Sequence, residues 1–216
     1  MWRLNPYPPT NHPVIDDDHK LWLNDSIIDL YLHMVAEKYN NGKEPKKSHA
    51  FGAFFWSQLL RHGPKKVEGL TRRSKVGGDN LLRLDFLFIP ANFNGNHWTL
   101  GVVRPKEKRL EFYDSMKGGA AYRSEIFFRA MREYLANETK GKAKLDKPWD
   151  QWWEEWTEFF VKDCPAQSNM HDCGVFTCKH AEVLARGREL SFTQADMPTI
   201  RYRMVAELLA GELGVA

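Results

Sequence analysis

Apolar residues in the first part of the chain recur at helical spacing. Residues 1–20 are rich in Pro, Asn and Asp, which predicts an irregular N-terminal arm. Residues 24–40 carry apolar side chains at helical intervals, and residues 50–62 form a shorter, strongly apolar run; both patterns predict helices. The polar stretch between them predicts a loop, and the basic, glycine-containing stretch 63–80 predicts a surface connection.

The pattern then changes to that of strands. Residues 82–92 are mostly apolar and predict a strand that ends at Pro90. Residues 97–104 and 109–115 predict two more strands, joined by the polar turn PKEK. The middle of the chain is therefore expected to form a sheet that contains a hairpin.

Helical periodicity returns in the second half. Residues 121–138, 173–187 and 193–213 predict helices, and the alternating residues 157–163 predict one more strand. Helices, then strands, then helices around a further strand are typical of an α+β fold with a mixed central sheet flanked by helices. We expect residues 21–216 to form a single domain.

The segment 149–156 has four tryptophans and two interpretations. The first is an amphipathic element that packs on the core, and this is the interpretation we favour. The second is an exposed aromatic patch that binds a partner.

Composition and charge exclude several classes of protein. The 216 residues are 43% hydrophobic, with no apolar run near the ~20 residues of a membrane span, so no membrane segment is expected. The N-terminus lacks the pattern of a signal peptide. Three cysteines are too few for a disulfide framework, which favours an intracellular, reducing compartment. The net charge of +3 does not indicate nucleic acid, and the basic residues Lys65, Lys66, Arg72, Arg73 and Lys75 are expected to be solvated.

Candidate chemistry is concentrated in the sequence QSNMHDCGVFTCKHAE, residues 167–182. Geometry argues against a metal site. On a helix that starts near Cys173, Cys178 would lie about 140° around the axis, and His180 would lie ~10 Å along it. These side chains do not converge on one ion, and the closely spaced pairs of a structural zinc site are missing. We expect neither a metal nor another cofactor.

A single reactive thiol explains more of the same sequence. Cys173 would lie in the first turn of a helix, where unpaired N–H groups and the helix dipole stabilise a thiolate. Asp172 suits the helix N-terminus, and Gly174 would leave room for a substrate backbone. The alternative is that Cys173 is a small buried hydrophobic residue, as most free cysteines are.

A base for this thiol is predicted in the hairpin. If the turn centres on residues 105–108, Thr99 pairs with Asp114, and His97 and Asp114 become diagonal neighbours on one face. A register slip of one residue would separate them. The other histidines lack such a carboxylate: we expect His12, His19, His49 and His62 to be solvated near loops, and His33 to be structural.

Four motifs together resemble one family. They are WLND at Trp22–Asp25, HW at His97–Trp98, YDS at Tyr113–Ser115, and Gln167 followed by DCG at Asp172–Gly174. In this order and spacing they are similar to the ubiquitin-like-protein-specific proteases, which include the SUMO (sentrin-specific) proteases and are relatives of the adenoviral protease.

The resemblance implies a papain-like cysteine protease domain with a His–Asp–Cys triad. His97 would be the base, Asp114 its orienting acid and Cys173 the nucleophile. Gln167 would donate to the oxyanion beside the Cys173 backbone N–H.

The resemblance also implies a binding site for the modifier. Trp22 and Trp98 match the two tryptophans that clamp the extended Gly-Gly tail in the family. Asp25 matches an acid that contacts the modifier's folded body; an N-cap or first-turn acid is its structural alternative.

The expected function is hydrolysis after the C-terminal Gly-Gly of SUMO, in precursors or in SUMO-conjugated proteins, by an intracellular monomer in the nucleus or cytoplasm. A deneddylase or deubiquitinase on the same scaffold is the alternative enzyme. A relative that binds SUMO without cutting it is the non-enzymatic alternative.

Overall fold

The computed structural model describes residues 21–42 and 45–214. The predicted arm over residues 1–20 lies outside them. The helices are α1 (Asp25–Asn40), α2 (Ala53–His62), α3 (Pro64–Ser74), α4 (Asp79–Leu82), α5 (Ala120–Thr139), α6 (Trp149–Trp153), α7 (Cys173–Ala185) and α8 (Met197–Ala210). The strands are β1 (Ser48–Ala50), β2 (Phe86–Phe93), β3 (His97–Arg104), β4 (Arg109–Tyr113) and β5 (Thr157–Phe160).

The five strands form one mixed sheet in the order β1-β2-β3-β4-β5. The two outer pairs are parallel, whereas β2, β3 and β4 run antiparallel to one another in turn. Helices cover both faces, so the predicted α+β fold with a mixed sheet is confirmed. No helix in the described ranges is both long and apolar enough to cross a membrane.

The two faces of the sheet support separate cores because side chains alternate along each strand. On β3, Val103 packs with the aromatic residues of α2 and α5. Its neighbour Val102 packs on the opposite face with residues of α1, α7 and α8. Successive residues at the end of β3 therefore point into different layers of the fold.

The prediction of a surface connection over residues 63–80 is wrong. Pro64 starts α3, and its fixed φ suits the first turn of a helix. Val67 and Thr71, one turn apart, are buried and attach the helix to the core. Only these two residues of α3 are buried, and charged residues around them concealed the helical period in the sequence.

Two predictions about strands also need correction. β2 does not end at Pro90 but continues to Phe93. The parallel partner β1 reaches only as far as Phe88, so Pro90 lies where that side of β2 is unpaired and a missing N–H is tolerated. β1 itself was not predicted, and its His49 is not solvated: burial, with the charges of Lys46 and His33, lowers the pKa of His49 to about 4.

The tryptophan-rich segment belongs to the core, as favoured. Trp152, Trp153 and Trp156 are buried. Trp153 stacks on both Trp149 and Trp156, with ring centroids 5.5 and 5.2 Å apart. The alternative of an exposed aromatic patch is wrong.

Candidate active site

His97 and Asp114 meet at one end of the hairpin. Leu100 pairs with Tyr113 and Arg104 with Arg109, so the register predicted from the turn is confirmed. His97 starts β3, and Asp114 directly follows β4. The His97 Nε2 lies 2.7 Å from the Asp114 Oδ1, and both residues are buried, with 6% and 0% of their surface exposed.

Asp114 has further donors that hold its carboxylate. The Met116 backbone N–H donates to Oδ1 at 2.9 Å, and the Arg123 Nε donates to Oδ2 at 2.7 Å. Arg123 also donates through Nη2 to the carbonyls of Met116 and Gly118, at 3.0 and 2.7 Å. Sequence reasoning missed Arg123. A basic residue near the start of α5 opposes the helix dipole, and that unfavourable position was the available signal.

The environment of His97 favours its protonated form. Burial lowers the pKa of His97, but the hydrogen bond and charge of Asp114 and the influence of the neighbouring Cys173 outweigh this and raise it to about 8. Within the described ranges, Nδ1 is buried and has no hydrogen-bond partner at normal distance. The nitrogen not used by Asp114 is thus available for the neighbouring Cys173 thiol.

Cys173 is the first residue of α7, as predicted, and is 2% exposed. The expectation that Gly174 leaves room for a substrate is wrong. A Cβ there would lie 3.0 Å from the Leu23 Cβ and 3.1 Å from the Ile28 Cδ1. Gly174 therefore faces Leu23 and Ile28, because α7 packs closely against the segment that follows Trp22.

Asp172 forms a buried network beside Cys173. Its carboxylate accepts hydrogen bonds from Asn169 Nδ2 at 2.6 Å, Gln194 Nε2 at 2.7 Å and Arg201 Nε at 2.8 Å. Burial raises the pKa of Asp172, but the Arg201 charge and these donors outweigh it and lower the pKa below its usual value. Asp172 is therefore a carboxylate that ties the start of α7 to α8.

Arg201 extends this network to the segment that contains Trp22. Its side chain is buried, and Nη2 donates to the backbone carbonyls of Leu21 and His171, each at 3.1 Å. One guanidinium from α8 thus joins the residues before Cys173 to the residue before Trp22. The sequence showed no sign of Arg201, since its partners are distant in the chain.

The other two cysteines have different environments. Burial raises the pKa of the Cys164 thiol and, more strongly, that of the Cys178 thiol. Cys178 is fully buried in the core between α7 and the sheet. Neither thiol has the helix start and the imidazole that Cys173 has.

Gln167 is held beside the end of β4. Its backbone N–H donates to the Ser115 carbonyl at 3.0 Å, and its Oε1 accepts from the Ser115 hydroxyl at 2.6 Å. Its Nε2 donates one hydrogen to the Asn169 carbonyl at 2.6 Å. The amide is therefore oriented by contacts at both ends.

Trp22 and Trp98 line one open cleft of about 830 Å³. Trp98 is 7% exposed, and its Nε1 donates to the Leu23 carbonyl at 3.2 Å, which holds the two segments together. Asp25 lies at the same cleft, in the first turn of α1, with an exposed side chain. Asn24, not Asp25, caps α1, through a 3.0 Å hydrogen bond from the Ile27 N–H.

Residues 21–211 match the family described as the Ulp1 protease family, C-terminal catalytic domain. The chain is 36% identical over 194 residues to ubiquitin-like-specific protease 1A of Arabidopsis thaliana, covering 87% of this chain and 36% of that protein. It is 33% identical over 194 residues to human sentrin-specific protease 2, covering 89% of this chain and 30% of that protein. The chain therefore spans only about a third of the length of these relatives.

Solved structures with the same fold include two catalytic domains. The Ulp1-like SUMO protease catalytic domain of Chaetomium thermophilum has a TM-score of 0.73 and 33% identity, over 88% of this chain and 73% of that one. The C-terminal Ulp1 protease domain in complex with Smt3, the yeast ortholog of SUMO, has a TM-score of 0.71 and 28% identity, over 88% and 77% of the two chains.

Proposed function

Since the chain belongs to the Ulp1 protease family, we propose that it is a cysteine protease that hydrolyses the bond after the C-terminal Gly-Gly of SUMO. The observation that carries the proposal is the buried 2.7 Å contact between His97 and Asp114, with the Cys173 thiol beside the same imidazole. Relatives named sentrin-specific protease, and a similar domain solved with a SUMO ortholog, support the choice of substrate.

The proposed reaction has two halves. The Cys173 thiolate attacks the carbonyl carbon of the last glycine, and protonated His97 gives its proton to the departing amine, which leaves a thioester. Neutral His97 then takes a proton from a water molecule that attacks the thioester carbonyl. The products are a free Gly-Gly carboxylate and the regenerated thiol. Asp114 orients His97 through Nε2 and stabilises its charged form.

Gln167 is proposed to stabilise the oxyanion together with the Cys173 backbone N–H. Ser115 holds the Oε1 end of its amide, and Asn169 takes one hydrogen of Nε2. The second Nε2 hydrogen is the one proposed to donate to the negative oxygen. Such a donor needs no rearrangement when charge develops on the substrate.

Trp22 and Trp98 are proposed to enclose the glycine tail, and Asp25 to contact the folded body of SUMO. Two flat rings can approach a backbone closely only if it carries no Cβ. The exposed Asp25 carboxylate at the same cleft is available to a partner, because Asn24 performs the capping role. The partners are then SUMO and SUMO-conjugated proteins.

An intracellular site of action is part of the proposal, in the nucleus or the cytoplasm. All three cysteines are free in the structure, which supports a reducing compartment. The proposed reaction uses only side chains of this chain and water.

The test is a parallel assay with C-terminal fluorogenic substrates derived from SUMO, Nedd8 and ubiquitin. We expect turnover of the SUMO substrate to exceed that of the others. A SUMO substrate with its penultimate Gly changed to Ala should lose more than the ~1–3 kcal/mol of transition-state stabilisation expected for one misfit methylene. Faster turnover of the Nedd8 or ubiquitin substrate would show that the enzyme acts on that modifier and not on SUMO. Binding of SUMO without turnover would identify a non-catalytic relative.

A further inference from the structure

A second cleft, of about 340 Å³, opens beside His97. It lies between the β2–β3 turn, the first half of α5 and Leu60 of α2. It shares the lining residues Leu60 and Asn94 with the cleft lined by Trp22 and Trp98, called the tryptophan cleft below, so the two clefts are neighbours. None of the proposed roles uses this cleft.

The proposed reaction determines which half of the substrate lies in the second cleft. Trp98 lines the first cleft and His97 the second, because neighbours on β3 point to opposite faces. The acyl half of the substrate, the glycine tail, is proposed to lie between the tryptophans. His97 must protonate the departing amine, so the amine and the chain attached to it lie on the His97 side.

The walls of the second cleft suit a lysine with its neighbouring residues. Leu60, Tyr122 and Ile126 offer apolar surface for the methylene stem of an acceptor lysine. Tyr122 is 69% exposed, so its ring is accessible to a substrate.

The charge of the second cleft is positive. Arg123 and Arg129 line it, and no acidic residue does so in the described part of the chain. Arg123 is neutralised by Asp114. Arg129 is exposed and has no ion pair among the described residues, although Glu125 and Glu133 are each one turn away on α5.

We propose that the second cleft binds the leaving-group side of the substrate, and that Arg129 selects an acidic side chain near the acceptor lysine. Arg129 lines the same cleft as His97, where the departing amine is protonated. This inference rests on the proposed function.

The experiment uses SUMO joined by an isopeptide bond to lysine peptides that carry Glu, Gln or Lys at one position, varied from one to four residues from the acceptor. We expect kcat/KM to be roughly two- to five-fold higher for Glu than for Gln, the size of an exposed ion pair, and lowest for Lys. Added salt should reduce the difference. Arg129→Gln should lower kcat/KM for the Glu peptide to that for the Gln peptide, and Arg129→Glu should favour the Lys peptide.

Arg73→Gln, which removes an exposed arginine from α3, is the matched control and should keep the preference. A SUMO substrate with a small fluorogenic leaving group reports on the proposed function separately. If that substrate is not cut, the proposed function fails and the inference with it. If all peptides are cut equally, or if Arg129→Gln keeps the preference for Glu, the inference alone is overturned.

Discussion

The proposed active site is assembled from two regions that are held in different ways. In the hairpin, His97 and Asp114 are 17 positions apart and meet because the register of β3 and β4 brings them together. At the corner of α7 and α8, Cys173 is held by contacts with distant parts of the chain. Arg201 lies 29 positions from Asp172 and 180 from Leu21, and it contacts both.

The hairpin therefore holds the groups proposed to transfer protons, whereas the α7–α8 corner positions the proposed nucleophile. Changes in the hairpin are expected to alter the charge and orientation of the proposed base while the sheet remains intact. Changes at the α7–α8 corner are expected to leave a buried charge unpaired and to loosen the contact between the segment before Cys173 and the segment that contains Trp22. The two regions should therefore respond differently in activity, stability and pH dependence.

The largest effect is expected at Cys173, the proposed nucleophile. Cys173→Ser should abolish turnover, because a hydroxyl at this position is not ionised by the neighbouring imidazole. An electrophilic probe that ends in Gly-Gly should label Cys173 alone, as detected by mass spectrometry of the digested protein. Cys164→Ser and Cys178→Ser are the controls, with thermal melts for the buried Cys178. Labelling of either control cysteine would remove Cys173 from its proposed role.

The next effect is expected in the hairpin. His97→Ala should lower kcat by at least the ~10²–10⁴ typical of general acid–base catalysis, with the protein still folded. Asp114→Asn should lower it less, because it removes orientation and charge but leaves the base. Full activity in Asp114→Asn would mean that another acid serves His97.

Arg201→Gln should act mainly through stability and positioning. It leaves the buried Asp172 carboxylate without its cation, and breaking a buried pair costs about 3–5 kcal/mol of the free energy of unfolding. Denaturant unfolding measures this loss. Arg201→Lys keeps the charge, so it should be more stable than Arg201→Gln. Because a lysine cannot reach both carbonyls, this variant should still bind SUMO less tightly than the wild type. Arg188→Gln, at an exposed arginine after α7, is the control.

A double substitution sharpens this test. Asp172→Asn combined with Arg201→Gln removes both charges, so the loss of stability should be smaller than the sum of the two single losses. Additive losses would show that the pair is not coupled, and the α7–α8 corner would then not depend on it.

The smallest effect is expected at Arg123, and it is a shift in pH dependence. Its guanidinium lies against Asp114, so Arg123→Gln strengthens the hold of Asp114 on the His97 proton. The pKa of His97, about 8 in the wild type, should rise, and the alkaline limb of the kcat/KM profile should move to higher pH. Arg123→Lys should restore much of the wild-type profile. Reduced activity without any movement of that limb would assign Arg123 a purely structural role.

Much of the hairpin could be predicted from the sequence. The polar turn and the alternating strands set the register, and that register by itself places His97 beside Asp114. The helix that starts at Cys173 and the four motifs of the family were equally local. The motifs did not include Arg123. Its unfavourable position near a helix start was a signal, but that signal indicates a role only once the carboxylate partner is known.

Short or weakly apolar elements escaped prediction for a related reason. β1 is three residues long and exists through its pairing with β2, and α3 shows only two buried residues among many charged ones. Pro90 would normally end a strand, and only the absence of a parallel partner beyond Phe88 makes it acceptable there.

The sequence by itself determined the long helices and the central strands, the hairpin register and the identity of the family, since each depends on residues close together in the chain. Tertiary structure alone decided why a side chain at position 174 would crowd Leu23, how Arg201 joins the segment before Cys173 to the segment that contains Trp22, and which arginine of the second cleft has no ion pair among the described residues. These features depend on which distant surfaces come into contact. Local hydrophobic periodicity carries no information about such contacts, because it specifies which face of an element is buried but not what covers it.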